Sequence, residues 1–442
     1  MRHNCYFIIL LLLISFDIYG QDEKWSLSKC VEYAIEHSPQ INKQNAQNSI
    51  YHQNYLEAIG SLLPSVNART DTHFNFGRGL DSKTNAYTDI NSFSNNYSVY
   101  SSLTIFDGLS NINRIKIQKV NKLMGEKQKQ STIDMVAYET MEAFFNALYF
   151  VEMVKLAEQQ LAESSHNLKQ VKRMEELGMK GASDVAEMIA KEASDQYSLT
   201  RQKNIYKIGI ILLKEKMNFP IDEELDIKDD SLLLVIGSEE SALSIYEYAK
   251  TNNPKVKAAE LTQNAQELFY RASKGNLFPR ISFDAGISTN FSRYMDGSDY
   301  ISFEDQIKNR RGYSLGFTLS IPLFNGFSNS TSVKRAKSQV IISQNNYAES
   351  LRTLYSEIEQ AVSDVDGLVD EYNQAKKQTE AMEIAHRANQ RKYQEGLISA
   401  IELHTSSNRV VESKTHEVNA RYKYELKRKL VNYYKGIPFI TE

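Results

Sequence analysis

The sequence predicts an α+β membrane protein built by internal duplication, with two strands and very long helices in each half. Three observations carry that reading. Only 7 of 442 residues are proline, with none between Pro64 and Pro220 and none between Pro322 and Pro438. Spans that long without a helix breaker favour very long helices. The chain also repeats itself at a nearly constant offset. Finally, four short segments alternate apolar and polar residues with period two, the pattern of strands with one buried or lipid-facing side.

The repeat orders the elements. Glu32-Tyr33-Ala34 and Ser38-Pro39 recur 215 residues later as Glu247-Tyr248-Ala249 and Asn253-Pro254. Leu62-Leu63-Pro64 recurs as Leu277-Phe278-Pro279. From Phe106-Asp107-Gly108 to Phe324-Asn325-Gly326 the offset is 218, and it still relates Gly178 to Gly396 and Pro220 to Pro438. The three extra residues therefore fall between Pro279 and Phe324, and insertions collect in exposed loops. The first repeat spans 21–222, with a helix over about 27–62, a β-hairpin over 65–106, a long helix over 111–177 and a returning helix over 180–218. A linker over 223–239 follows, acidic and solvated at its start. The second repeat spans 240–442, with a helix over 242–277, a hairpin over 280–323, a long helix over 329–395 and a returning helix over 398–434.

The second long helix carries a 3-4 spacing from Leu351, Leu354, Ile358, Ala361, Val365 and Leu368 through to His386 and Tyr393. That is a coiled-coil seam. The first long helix has Ile133, Val136, Thr140, Ala143 and Ala147 in the same phase. At ~1.5 Å per residue each is roughly 100 Å long and must pack side by side with others. On the heptads alone a soluble antiparallel coiled coil fits equally well.

The strands shift that balance. Val66, Ala68, Thr70, Thr72 and Phe74 alternate with polar residues, as do Ile281, Phe283, Ala285 and Ile287. The returning strands do the same at Val99, Leu103 and Ile105, and at Tyr313, Leu315, Phe317 and Leu319. Segments of about ten residues match tilted membrane strands. Two half-buried hairpins of a soluble sheet are the alternative. Four strands cannot enclose a usable interior, and open edges are not tolerated in lipid. Three chains of four strands close a 12-stranded barrel, and the same multiplication turns four helical staves into a twelve-stave coiled-coil tunnel.

Composition agrees. The net charge of −3 (52 basic, 55 acidic residues) gives no basic face for nucleic acid. With a mean hydropathy of −0.46 and no long apolar run after the N-terminus, a helical membrane protein is excluded. Residues 1–20 read as a signal peptide, with Arg2 and His3 before the apolar core Phe7–Ile14. Cys5 leaves with it and Cys30 remains alone, so no internal disulfide forms.

The duplicated order, the Leu-(Leu/Phe)-Pro leading into each first strand, the Phe-(Asp/Asn)-Gly closing each second strand, and the Arg-x4-Gly at each helical turn together resemble the TolC family of outer-membrane efflux proteins. The resemblance covers essentially the whole mature chain. It implies a homotrimer in outer-membrane lipid, with a barrel there and a helical tunnel in the periplasm. It also implies a periplasmic adaptor (membrane fusion) protein and an inner-membrane pump, of RND or ABC type, that supplies the energy. Carried over position by position, the family's tunnel-gate acids fall on Glu402 and Thr405, with Asp184 the matching place in the first half. Thr405 is not an acid, so the second ring is missing. The tip tyrosine matches Tyr393, and Ile398 replaces the basic residue after the turn. The adaptor-docking tips correspond to Gly178-Met179 and Gly396-Leu397; as residues, these glycines read equally as helix caps.

No catalytic, cofactor or metal motif is present, so the chain is read as no enzyme. His386, His404 and His416 are read as solvated or tunnel-facing. The competing functional class is a structural or adhesive coiled-coil protein of the periplasm or cell surface, which membrane fractionation distinguishes from a duct. The polar segments 77–91 and 292–311 join strands and are expected outside the cell. An epitope inserted at Asp296-Gly297 is expected to be accessible on intact cells with export retained; protection until the outer membrane is lysed reverses that orientation.

Overall fold

A computed structural model describes residues 24–80, 85–229, 240–296 and 301–439. The signal peptide, the apolar part of the linker and Gly297 lie outside the described residues. The elements recur at the repeat offsets. Helices α1 (Leu27–His37) and α2 (Pro39–Gly60) precede strands β1 (Ser65–Asn75), β2 (Arg78–Leu80), β3 (Tyr87–Asp89) and β4 (Ser92–Phe106). Next come α3 (Ser110–Glu176) and α4 (Ala182–Met217). The second half holds α5 (Ala242–Asn252), α6 (Pro254–Gly275), β5 (Arg280–Tyr294), α7 (Phe303–Asn309), β6 (Gly312–Ser320), α8 (Ser328–Gln394) and α9 (Ala400–Tyr434). Both long helices have 67 residues, so the duplication is preserved to the residue along them. Among the described residues, no helix is long and apolar enough to cross a membrane.

Two expected elements are corrected. Each opening helix is split in two. Ser38 and Asn253 are extended at ψ 120 and 123, because the residue before proline avoids helical geometry. Pro39 and Pro254 then start new helices, where a missing N–H costs nothing. Ser38 also accepts a hydrogen bond from the Ile41 amide at 3.3 Å. The segment 292–311 is not all loop. Ser302 caps the short helix α7 by accepting from the Asp305 amide, and Gln306 is buried against β5.

The chain divides into two compact units that cut across the repeats. One comprises Met1–Lys43, Lys129–Pro254 and Leu351–Glu442. Its α8 buries the predicted seam: Leu354, Ile358, Ala361, Val365, Leu368 and Tyr372 are all buried. In α3 the buried surface is wider than the seam, because Met141, Phe144, Phe145 and Leu148 are also covered. The reason is the extra layer formed by α1, the end of α4 and the linker. Trp25 pairs with Ile227 in a parallel bridge and meets Phe219 edge-on, with ring centres 5.2 Å apart. Leu225 and Ile227 are buried there. The acidic run is thus not simply solvated: Asp229 accepts from Arg421 at 2.8 Å and from the Tyr422 hydroxyl at 3.0 Å.

His386 is not solvated or tunnel-facing either, but buried, and it ties three helices together. Its Nε2 lies 2.7 Å from Glu163 of α3 and its Nδ1 lies 3.1 Å from Ser406 of α9. Gln390 donates to the same Glu163 oxygen at 2.8 Å. His404 is half-buried, and burial, with Lys191 nearby, lowers its pKa. His416 is exposed.

The other unit comprises Gln44–Gln128 and Lys255–Ser350. Its sheet is antiparallel in the order β1-β4-β5-β6. Val66 stands opposite Ser101, Val99 opposite Ile287, and Phe283 opposite both Leu103 and Phe317. This register gathers the apolar residues on one face. The opposite face is polar: Ser102, Ser282 and Thr318 all donate to Asp284, and Arg69 pairs with Asp71 at 2.8 Å. The apolar face is open, with Leu315 78% and Phe317 74% exposed. β1 and β6 form the two edges of the sheet.

Two outcomes are expected. Phe144→Ala removes a fully enclosed ring and should destabilise its unit by about 3–5 kcal/mol, read from the denaturant midpoint of the helical circular-dichroism signal. At Glu163, burial raises the pKa, but the His386 hydrogen bond and charge together with Gln390 outweigh it and hold the carboxyl below its usual 4.5. A depressed carboxyl stabilises the fold above its unfolded pKa, and that stabilisation is lost as pH falls through the folded value. The stability advantage of wild type over Glu163→Gln should therefore be full above about pH 5 and fade on acidification below 4.5; a pH-independent difference contradicts this.

Candidate functional site

The sites assigned from sequence lie in the first unit, where α3 turns into α4 and α8 into α9. Each turn is closed by glycine in the left-handed region, Gly178 at φ +75 and Gly396 at φ +73. The hydrogen bonds are those of a helix end that reverses sharply. The Gly178 amide donates to Glu175 and the Met179 amide to Met174, both at 2.8 Å. The Gly396 amide donates to Tyr393 and the Leu397 amide to Lys392, at 3.0 and 2.8 Å. This double bond pattern satisfies the last helical carbonyls and needs positive φ at the glycine. Among the described residues, chain neighbours aside, nothing lies within 4 Å of where a Cβ would sit on either glycine, so backbone conformation and not space selects them. The residues that follow point outward: Met179 is 69% and Leu397 68% exposed.

Each returning helix starts with an acid at the same place. Asp184 accepts from the Gly181 amide at 3.1 Å. Glu402 accepts from the Ser399 amide at 2.9 Å, while Ser399 accepts from the Glu402 amide at 3.2 Å. This reciprocal pair is a capping box and places negative charge at a helix N-terminus. Glu402 is exposed. Thr405 is also exposed and turns its hydroxyl back to the Ile401 carbonyl at 2.9 Å, the habit of a hydroxyl within a helix.

Tyr393 sits beneath the turns. It is buried among Leu168, Val171, Val185, Met188, Ala400 and Leu403, with Ile398 packed against the same cluster. Lys180 lies 5.0 Å from the ring centre. Burial, together with the nearby Asp184 and Glu187 carboxylates, pushes the Tyr393 pKa up to about 12. Its hydroxyl has no hydrogen-bond partner among the described residues. The fold thus brings Tyr393 and Asp184 together, and holds Glu402 in its own helix cap. Sequence reasoning missed Lys180, whose stacking partner comes from the other half of the chain. It also missed the packing role of Ile398, although an apolar residue at a basic site was a signal. Among the described residues no cluster of three or more potential metal ligands occurs.

A turn-and-return helical tip and a separate antiparallel sheet with an open apolar face describe a recognisable class. The outer membrane efflux protein family matches residues 245–429. The chain is 19% identical over 414 residues to outer membrane protein TolC of Vibrio cholerae serotype O1, covering 91% of this chain and 88% of that one. It is 20% identical to outer membrane protein TolC of Salmonella enteritidis, covering 97% and 85%. The fold superposes on the Campylobacter jejuni CmeC outer membrane channel with a TM-score of 0.81 at 14% identity, covering 93% and 85%. Residues 245–429 thus carry the outer membrane efflux protein signature, and with the likeness to TolC proteins along nearly the whole chain they indicate residence in the outer membrane with an extension into the periplasm.

Proposed function

We propose that the chain is a passive export duct in which three copies contribute four strands each to a 12-stranded barrel. The helices of the three copies would form one long coiled-coil tunnel. The observation that carries this reading is the sheet of the second unit: one face apolar and open except where Phe303 of α7 rests on Tyr97 and Phe291, the other lined by serines, threonines and carboxylates, and both edge strands unpaired among the described residues. Lipid matches the first face, water the second, and neighbouring copies the edges. Each copy would be two tandem repeats, 21–222 and 240–442, which brings six similar hairpins to a threefold assembly.

Work would come from partners. The exposed Met179 and Leu397, presented on hydrogen-bonded glycine turns, suit docking of a periplasmic adaptor, and through it an inner-membrane pump of RND or ABC type. The tunnel gate would use Glu402 near the axis, with Asp184 and Tyr393 supporting it and Thr405 leaving the ring single. The helix cap at Glu402 fits this role, because it fixes the carboxylate's position while leaving it in solvent.

Purified protein should cross-link in detergent to three chains and no further, and should conduct in planar bilayers. Glu402→Ala should weaken block by divalent or trivalent cations applied from the periplasmic side, with trimer yield unchanged. A conducting monomer sinks the assembly; unaltered cation block moves the acid ring elsewhere, with Asp184 next.

A further inference from the structure

The internal duplication leaves one contact made and its counterpart unmade. Within the chain, β4 pairs with β5, the strand that ends the first hairpin against the strand that begins the second. Beside that junction two backbones touch. A Cβ on Gly275 would lie 2.7 Å from the Gly108 carbonyl oxygen, and a Cβ on Gly108 would strike the Gly275 backbone. The repeat relates Gly108 to Gly326 and Gly275 to Gly60. The turns are alike: Gly108 and Leu109 have φ +68 and +65, Gly326 and Phe327 +62 and +66. Yet a Cβ on Gly326 or on Gly60 would meet, among the described residues, no atom within 4 Å beyond its own chain neighbours and helix backbone. The seat is built and empty.

Resting on the closed-assembly reading above, we infer that a second copy of the chain fills it: Gly326 seats against the partner's Gly60, and β6 pairs with the partner's β1 in the register that β4 uses with β5. That internal register sets Val99 opposite Ile287 and Ser102 opposite Asp284, the latter pair in side-chain contact at 2.7 Å. Carried through the repeat offsets, Phe317 stands opposite the partner's Thr72 and Ser320 opposite the partner's Arg69. The register passes an independent check. It sets Leu315 beside the partner's Phe74 and Leu319 beside the partner's Thr70, so the side of β6 that carries Leu315, Phe317 and Leu319 meets the side of the partner's β1 that carries Thr70, Thr72 and Phe74. A slip of one residue would turn the partner's polar side chains into that face. Pro322 stands where Thr104 stands in the first copy, and proline donates nothing to a ladder; β6 accordingly ends at Ser320.

Cysteine pairs in the full chain test the register. Ser320→Cys with Arg69→Cys should give near-complete chain-to-chain disulfides under mild oxidation. Ser320→Cys with Asp71→Cys, displaced by two residues and beyond disulfide reach, should give at least tenfold less. Efficient linkage of the displaced pair alone, in a protein that still assembles, overturns the register and leaves the closed assembly standing. A chain that stays monomeric overturns both. For the glycine seat, a Cβ at position 60 meets no described atom of its own chain beyond its neighbours and helix, so Gly60→Leu should leave the monomer's helical signal intact while lowering trimer yield at least tenfold. Gly275→Ala should disturb the chain itself. Normal trimer yield from Gly60→Leu overturns the seat.

Discussion

A β-strand at the edge of a sheet presents a row of amide and carbonyl groups that must bond to something. In this chain β1 and β6 are such edges, and the faces they border are sorted into apolar and polar sides. Water can satisfy an open edge; hydrocarbon cannot, and each group left unbonded there costs several kcal/mol. For a protein of the outer membrane this single demand dictates much else. In the proposed assembly the sheet is completed by strands of further copies, each copy offers both of its edges, and the register keeps like faces together.

The same economy governs the helices. Each long helix reaches the limit of its unbroken run and is stopped by a glycine turn that spends its last carbonyls on the two following amides. The returning helix is then restarted by an acid that bonds to a free amide. No long loop intervenes: the helices on either side of each turn end and restart within a few residues of each other. Below them, Tyr393 is packed from both halves of the chain, and the His386–Glu163–Ser406 link joins three helices with polar contacts in place of apolar ones.

Helix lengths and strand faces were legible because they follow from local periodicity, and the duplication supplied every pattern twice. The breaks at Ser38 and Asn253 were equally legible, since a proline stands after each; reading periodicity through them hid the rule. The short helix α7 left a trace in Ser302 and Asp305, a cap and its partner three residues on. At the tip, Ser399-Ala400-Ile401-Glu402 spells a capping box outright. What stayed hidden depended on distant segments. Neither the burial of Ile227 beside Trp25 nor the pairing of Asp229 with Arg421 has any local signature. His386 sits on the heptad seam, which points to burial, but its carboxylate partner lies 223 residues away.

Cys30 sits at the centre of the helical core, wholly enclosed, and burial pushes its thiol pKa up to about 12. Near neutral pH the thiol therefore stays protonated, and the thiolate is the form that attacks disulfides and reacts with alkylating reagents. In an oxidising compartment such a residue is chemically silent. It offers no handle to disulfide-forming enzymes once the chain has folded and cannot couple two copies by accident. Labelling of Cys30 would therefore report opening of the helical core and nothing else, which makes the residue a native sensor of unfolding in the intact envelope.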